Sequence, residues 1–340
     1  MTETFVLNLH SLFKSGWFLV GGFVLAIVLT PLISYLLYKF KFWKQIRQDT
    51  ATGEKSTIVA KLHAKKRNTP VGAGVLIWGS VLIISLVFNF TRSQTYLPLA
   101  VLAGVGLLGL FDDWANVRGI GRIKGIRARD KLIWLTIIAA IGALWFYFKL
   151  DYNTLHIPRY GDVVLGVWYI PLFIFVVVAM ANAVNITDGL DGLAAGLSTF
   201  TFLAYALICL IIGAFSLSYF SATMAGALLA FLWFNIYPAR FFMGDTGSLA
   251  IGATLGVMAM LTNTVIILPI IALVFLVEIT SSFIQIMSKK FFHRKIFLAA
   301  PLHHTFEARG WPEVKVTMRF WVIGAVSAVL GLLLALISRG

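Results

Sequence analysis

Residues 17–47 read WFLVGGFVLAIVLTPLISYLLYKFKFWKQIR. From Trp17 to Tyr38 this stretch carries no charge, and Lys39, Lys41, Lys44 and Arg47 then follow in quick succession. An α-helix rises 1.5 Å per residue, so about 20 apolar residues cross the hydrocarbon core of a bilayer. The run is expected to span. A secretory signal has its basic residues ahead of a shorter apolar core. Here they come after a long one, which predicts a retained helix with its N-terminus outside.

The rest of the chain repeats this pattern. Of 340 residues, 59% are hydrophobic and only 12% charged, and the mean hydropathy is +0.89. Soluble domains average about 45–50% apolar and about 25% charged residues. The composition predicts an all-α integral membrane protein. Apolar runs suggest ten spans, at about 17–38, 72–90, 96–111, 130–148, 169–184, 193–213, 219–237, 247–262, 266–287 and 319–337. An even number places both termini on one side. No internal repeat, low-complexity tract or soluble domain interrupts them, so residues 1–340 are read as a single polytopic domain.

The formal charge of +14 is not spread as in a nucleic-acid binder. Loops 39–71, 112–131, 238–247 and 288–319 hold nine, six, one and seven of the 28 Lys and Arg residues. Cytoplasmic loops of membrane proteins are enriched in Lys and Arg. That rule puts these four loops in the cytoplasm, both termini outside, and no nucleic acid among the partners. The lone cysteine, Cys209, lies in an apolar run and reads as a small core or lipid-facing residue.

Against this background the acidic residues stand out. Asp112 and Asp113 occur in GLFDDWANVRG, Asp188 and Asp191 in NITDGLDG, and Asp245 in FFMGDTGS, each at a predicted cytoplasmic helix end. Five converging carboxylates would repel one another, and a divalent cation with basic partners would relieve this. Oxygen ligands near phosphate suit Mg²⁺, which commonly takes one or two carboxylates and keeps water or phosphate elsewhere. In NAVNITDGLDGLAAG, Asn182, Asn185, Asp188 and Asp191 recur every third residue. On a continuous helix they would form one polar stripe descending to the cytoplasm. Asp112 and Asp113, being adjacent, point about 100° apart on a helix and serve one site only if the helix ends there.

Further candidates lie in basic loops. His303 and His304 stand in AAPLHHTFEARGWPE, where an imidazole suits phosphate binding better than a zinc site that lacks a third nitrogen or sulfur ligand. Lys65, Lys66 and Arg67 precede a glycine-containing turn in LHAKKRNTPVGAG, a sequence suited to a diphosphate but equally explained by positive-inside charge. Glu278, beside Thr280, Ser281 and Ser282 in an apolar segment, fits helix packing as well as function.

Taken together, NAVNITDGLDGLA, WFNIYPARFFMGDTGSLAIG and PLHHTFEARGWPEVKVTMRFW resemble the phospho-N-acetylmuramoyl-pentapeptide transferase family, within the polyprenyl-phosphate N-acetylhexosamine-1-phosphate transferases. The resemblance covers most of the chain. It implies transfer of a UDP-linked sugar-peptide phosphate to undecaprenyl phosphate in the bacterial cytoplasmic membrane, with release of UMP and the need for Mg²⁺. Carried over by motif, Asp245 becomes the main metal ligand, with Asp188 beside it. Asp112 and Asp113 match the pair near the lipid phosphate, where a direct attack is favoured and a covalent aspartyl-phosphate stays open. Asn185 and Asp188 fall at polar positions of the site, and Asp191, Asn235 and Phe242 at the nucleotide pocket; Asn182 joins the substrate-binding candidates through its place in the three-residue spacing. His303 and His304 match two members of a histidine triplet, and Lys66 and Lys131 match basic positions at the cytoplasmic face.

Three departures accompany the match. Thr305 stands where the triplet has its third histidine, Asn116 where a lysine is usual, and NTPVGAG (residues 68–74) where the family reads GTPTMGG. A UDP-GlcNAc-using relative is the nearest rival reading, which the HHTFEARGWPE segment disfavours. An ion-coupled transporter would instead place carboxylates at the midplane and show repeat symmetry. The oligomeric state stays open, with a homodimer admitted.

Overall fold

The computed structural model describes residues 9–43, 69–91, 93–120 and 125–338. Helices α1 (Leu9–Lys39), α2 (Gly74–Phe88), α3 (Tyr96–Arg118) and α4 (Ala128–Leu150) lead to a two-stranded hairpin. Its strands, β1 (Thr154–Ile157) and β2 (Gly161–Val164), pair antiparallel. Helices α5 (Tyr169–Thr187), α6 (Leu193–Ile211), α7 (Phe215–Asn235) and α8 (Gly244–Leu261) follow. The chain continues through the short α9 (Leu268–Ile271), α10 (Leu273–Phe292), the short α11 (Leu302–Ala308) and α12 (Glu313–Ile337). Lys65, Lys66 and Arg67 lie outside the described residues.

All ten apolar segments expected to span are helical. Among the described residues, eight helices are long and apolar enough to cross a membrane: α1, α3 to α8 and α12. The protein is thus an all-α, multi-pass membrane protein. The other two expected spans fall short for different reasons. Helix α2 has 15 residues, and α10 carries Glu278, Lys289 and Lys290.

Helix α8 is the centre of the bundle. All of its residues are buried except Asp245 in its first turn. Glycines let the neighbouring helices approach backbone to backbone, as small residues do in membrane bundles. A Cβ at Gly109 of α3 would strike the carbonyl of Asp245, and one at Gly74 of α2 would strike the backbone of Gly247. Further along, Cβ atoms at Gly252 and Gly256 would meet the α5 backbone at Met180 and Val177. The glycines of GDTGSLAIGATLG thus draw three helices onto the one that carries Asp245.

Several boundaries differ from the hydropathy expectation. Helix α3 does not end near residue 111 but continues to Arg118, where Gly119 terminates it at φ +65°. Asp112 and Asp113 therefore sit on an unbroken helix, each turned to a different partner. Helix α5 stops at Thr187, so the stripe of three-residue spacing does not run as one ridge: Asp188 caps the helix and Asp191 lies in the turn before α6. Gly192 opens α6 at φ +75°, which only glycine adopts at low cost. Lys131 is in the first turn of α4 rather than a loop, and the two histidines are on α11.

Candidate active site

The end of α3 and the starts of α4 and α8 meet at three carboxylates and a lysine. Asp112 Oδ2 lies 2.7 Å from Lys131 Nζ, and the same ammonium also binds Asp245 Oδ2. Asp112 Oδ1 accepts the Ile126 backbone N–H at 2.7 Å. The other oxygen of Asp245 is held from α5, where Asn185 Nδ2 donates to Oδ1 at 2.7 Å and to Ser248 Oγ at 2.8 Å. Asp245 is thus fixed at both oxygens while its side chain keeps 22% exposure.

Asp113 faces the opposite way. Its carboxylate accepts the N–H groups of Asp245 and Thr246 at 3.3 and 3.0 Å and the Thr246 hydroxyl at 2.6 Å. It caps the N-terminus of α8 from another helix, where a negative charge also complements the helix dipole. Gly244, at φ +71°, leaves the space: a Cβ there would collide with Asp113 Oδ2.

The NITDGLDG turn divides its polar residues among different partners. Asn182 turns back to the Val178 carbonyl of its own helix, at 2.8 Å. Asp188 is half-buried at the end of α5. Asp191 is buried, with Oδ2 accepting the Ala239 N–H at 2.9 Å and its own N–H donating to Glu313. Asn235 accepts from the Gly192 N–H at 3.0 Å and donates to the Phe241 carbonyl at 2.9 Å. Asp191 and Asn235 together fasten the 236–243 connection, which carries half-buried Phe242 and leads into Asp245. The Phe242 N–H in turn donates to the Pro70 carbonyl at 2.7 Å.

The two histidines approach this turn from α11. His303 is fully buried, its ring edge over Gly189, where a Cβ would collide with Nε2. Its Nδ1 lies 2.9 Å from Glu278 Oε2. His304 packs edge-on against it, ring centres 4.2 Å apart, and pairs with Glu307 at 2.7 Å. Thr305 is buried and donates to the Ala299 carbonyl, so the position lacking the third histidine faces its own loop.

A cavity of about 470 Å³, lined in part by Gln94, Tyr152, His156, Asp162 and Asn263, lies at the other end of the bundle. It borders Leu261, the last residue of α8. At 1.5 Å per residue that is roughly 24 Å from Asp245.

Comparisons with known proteins identify the family. The family model described as glycosyl transferase family 4 matches residues 95–263, the range holding Asp112, Asp113, Asp188, Asp191 and Asp245. A phospho-N-acetylmuramoyl-pentapeptide-transferase of Chloroflexus aggregans is 38% identical over 93% of this chain and 88% of its own length. Proteins of the same name from Geobacillus sp. and Caldanaerobacter subterraneus are 39% and 37% identical, covering 92% and 90% of this chain and 95% and 94% of their own. The chain belongs to the phospho-N-acetylmuramoyl-pentapeptide-transferase family.

Within this transferase-family fold, the structure brings Asp112, Lys131, Asn185 and Asp245 into direct contact and seats His303 against the Asp188–Gly189 turn. Sequence reasoning missed one contributor and left another undecided. Ser248, one turn after Asp245, shares the Asn185 amide. Glu278, which the sequence fits to packing as well as to function, meets the buried His303, a pairing that only the fold reveals.

Proposed function

We propose that the chain transfers phospho-N-acetylmuramoyl-pentapeptide from its UDP-linked donor to undecaprenyl phosphate, releasing UMP and forming the first lipid intermediate of peptidoglycan synthesis. The observation that carries the reading is Asp245, the one half-open residue of an otherwise buried helix, held between Lys131 and Asn185. Family membership supplies the substrate class. The acidic residues collect at helix ends, which suits a surface-loaded nucleotide substrate better than a midplane transport site. The four basic loops favour placing this end in the cytoplasm, with both termini outside.

The residues fit Mg²⁺. Asp112 and Asp245 already converge on one cation, the Lys131 ammonium, and present only hard oxygen donors. Among the described residues no group of three or more His, Cys, Asp and Glu side chains is placed to hold an ion, so the protein's share would be the two carboxylates. Mg²⁺ commonly takes one or two carboxylates and keeps its other positions for water and phosphate. Asp245 and Asp112 would hold it, with Asp188 standing at the adjoining helix end. Bound there, Mg²⁺ would neutralise diphosphate charge and stabilise departing UMP.

The chain's own groups then have distinct tasks. A phosphate monoester has its second pKa near 6 and is largely dianionic at pH 7, so alignment and charge compensation matter more than a strong base. Lys131 offsets the two carboxylates that would otherwise repel the phosphates. Asn185 orients Asp245, and Asp113 holds the backbone beneath it. His303 offers Nε2 to the same turn.

The test is UMP release by purified protein in detergent with Mg²⁺, undecaprenyl phosphate and either UDP-MurNAc-pentapeptide or UDP-GlcNAc. Turnover is expected with the first donor alone and should vanish in Asp245→Asn, which keeps the shape and loses the charge. Turnover of UDP-GlcNAc instead, or full activity of Asp245→Asn, would overturn the reading.

A further inference from the structure

Helix α10 carries a buried polar stripe, Glu278, Ser281, Gln285 and Ser288, spaced three and four residues apart so that it occupies one helix face. The chain leaving α10 folds back along this face and is fastened to it at each step. Ser288 Oγ donates to the Arg294 carbonyl at 2.9 Å. Gln285 Oε1 accepts the N–H groups of Ile296 and Phe297, and Ser281 Oγ accepts that of Leu302 at 3.1 Å. The last position, Glu278, accepts the backbone N–H of His303 at 3.2 Å and meets its Nδ1 at 2.9 Å. Both side chains are fully buried.

The far side of the ring is equally determined. Among the described residues Nε2 has no hydrogen-bond partner, and it rests over Gly189, beside Asp188. A buried polar atom without a partner is costly and points to a role outside the resting fold. A carboxylate on Nδ1 places the proton there and leaves Nε2 as the working nitrogen, since the bond made by one ring nitrogen sets the state of the other.

We propose that Glu278 is a positioning residue that fixes the tautomer and orientation of His303, presenting Nε2 to the aspartate-bearing turn, with Gly189 as the opposite wall of the seat. The role in turnover rests on the transferase reading above; the state of the ring does not. Glu278→Gln is the discriminating change. A carboxylate accepts from both His303 donors, whereas an amide has one acceptor oxygen. The backbone N–H lies nearer Oε1, at 3.2 Å, than Oε2, at 3.4 Å; with the amide oxygen in the Oε1 place the NH₂ meets Nδ1, and the ring proton is expected on Nε2.

The experiment joins ring ¹⁵N NMR of histidine-labelled protein, His303 being assigned by its loss in His303→Ala, with steady-state UMP release. In the wild type, His303 should show a protonated Nδ1. In Glu278→Gln the proton should move to Nε2, and kcat should fall about a hundredfold with KM for the UDP-linked donor within about twofold. Gly189→Ala, which displaces the ring without touching Glu278, should lower kcat comparably. Combining Glu278→Gln with His303→Ala should be no worse than His303→Ala alone. An unchanged tautomer in Glu278→Gln overturns the proposal whether or not the wild type turns over. So do additive losses in the double variant. A wild type without UMP release, but with the tautomer shift, would count against the transferase reading and leave the seat standing.

Discussion

The carboxylate of Asp113, on α3, accepts the backbone N–H of Asp245, on α8, at 3.3 Å, and that of Thr246 at 3.0 Å. Its neighbour Asp112 makes neither contact and instead reaches Lys131. Two adjacent aspartates thus act on one site from different directions. One holds the backbone from which Asp245 projects, and the other shares with Asp245 a single cation. The 100° between consecutive helical residues makes this division possible.

Asp113 should therefore matter to stability as well as to turnover. Asp113→Ala leaves the buried N–H and hydroxyl of Thr246 and the part-buried N–H of Asp245 without their acceptor, a cost of about 1–3 kcal/mol for an unsatisfied buried group. Thermal unfolding in detergent should show a lowered midpoint. Asp113→Asn retains one acceptor oxygen and should lose less. Equal midpoints for wild type and Asp113→Ala would show that the cap contributes nothing.

Lys131 gives a reading of the metal that does not depend on turnover. With its ammonium removed in Lys131→Met, Asp112 and Asp245 face each other without a counter-charge. Breaking a buried ion pair costs about 3–5 kcal/mol, less here because the Lys131 side chain keeps 18% exposure. In chelator the melting midpoint should fall by roughly 5 °C or more. Millimolar Mg²⁺ should restore most of that loss, and should raise the variant's midpoint more than the wild type's. A deficit that Mg²⁺ leaves untouched would mean that the ion does not bind between these carboxylates.

Much of this was legible in the residues. Uncharged runs such as Trp17–Tyr38 announce their helices because lipid allows no other use of them. The acidic motifs stood out because charge is rare in this chain. What periodicity could not supply was where helices stop. Asn182, Asn185, Asp188 and Asp191 keep a spacing of three, but the helix ends at Thr187, so the last two leave the ridge that the spacing describes. Nor does local sequence announce that Lys131 crosses from α4 to Asp245, or that His303 finds Glu278. Those pairings join residues 114 and 25 positions apart and depend on how glycine-lined helices pack.

The NITDGLDG turn offers the last test, because the motif resemblance and the contacts ask different things of Asp191. By resemblance its carboxylate belongs to the nucleotide pocket, where it would accept the uracil N3–H. In the fold it is buried and accepts the Ala239 N–H at 2.9 Å, fastening the connection that carries Phe242. Asp191→Ala removes both interactions. A hydrogen bond to a charged group contributes about 1.5–3 kcal/mol, so KM for the UDP-linked donor should rise about tenfold or more, with kcat less affected. Asp191→Asn separates the two roles, since its amide oxygen can still accept the Ala239 N–H. If Asp191 acts by holding the connection, Asn should recover most of the donor affinity. If it acts as a charged acceptor for the base, Asn should remain nearly as impaired as Ala. We expect the recovery, with Asp188→Ala showing the contrasting loss in kcat that marks a group acting in the transition state. Steady-state kinetics of the three variants at saturating lipid phosphate decide between the two roles, and an Asn variant as weak as Ala would return Asp191 to the nucleotide.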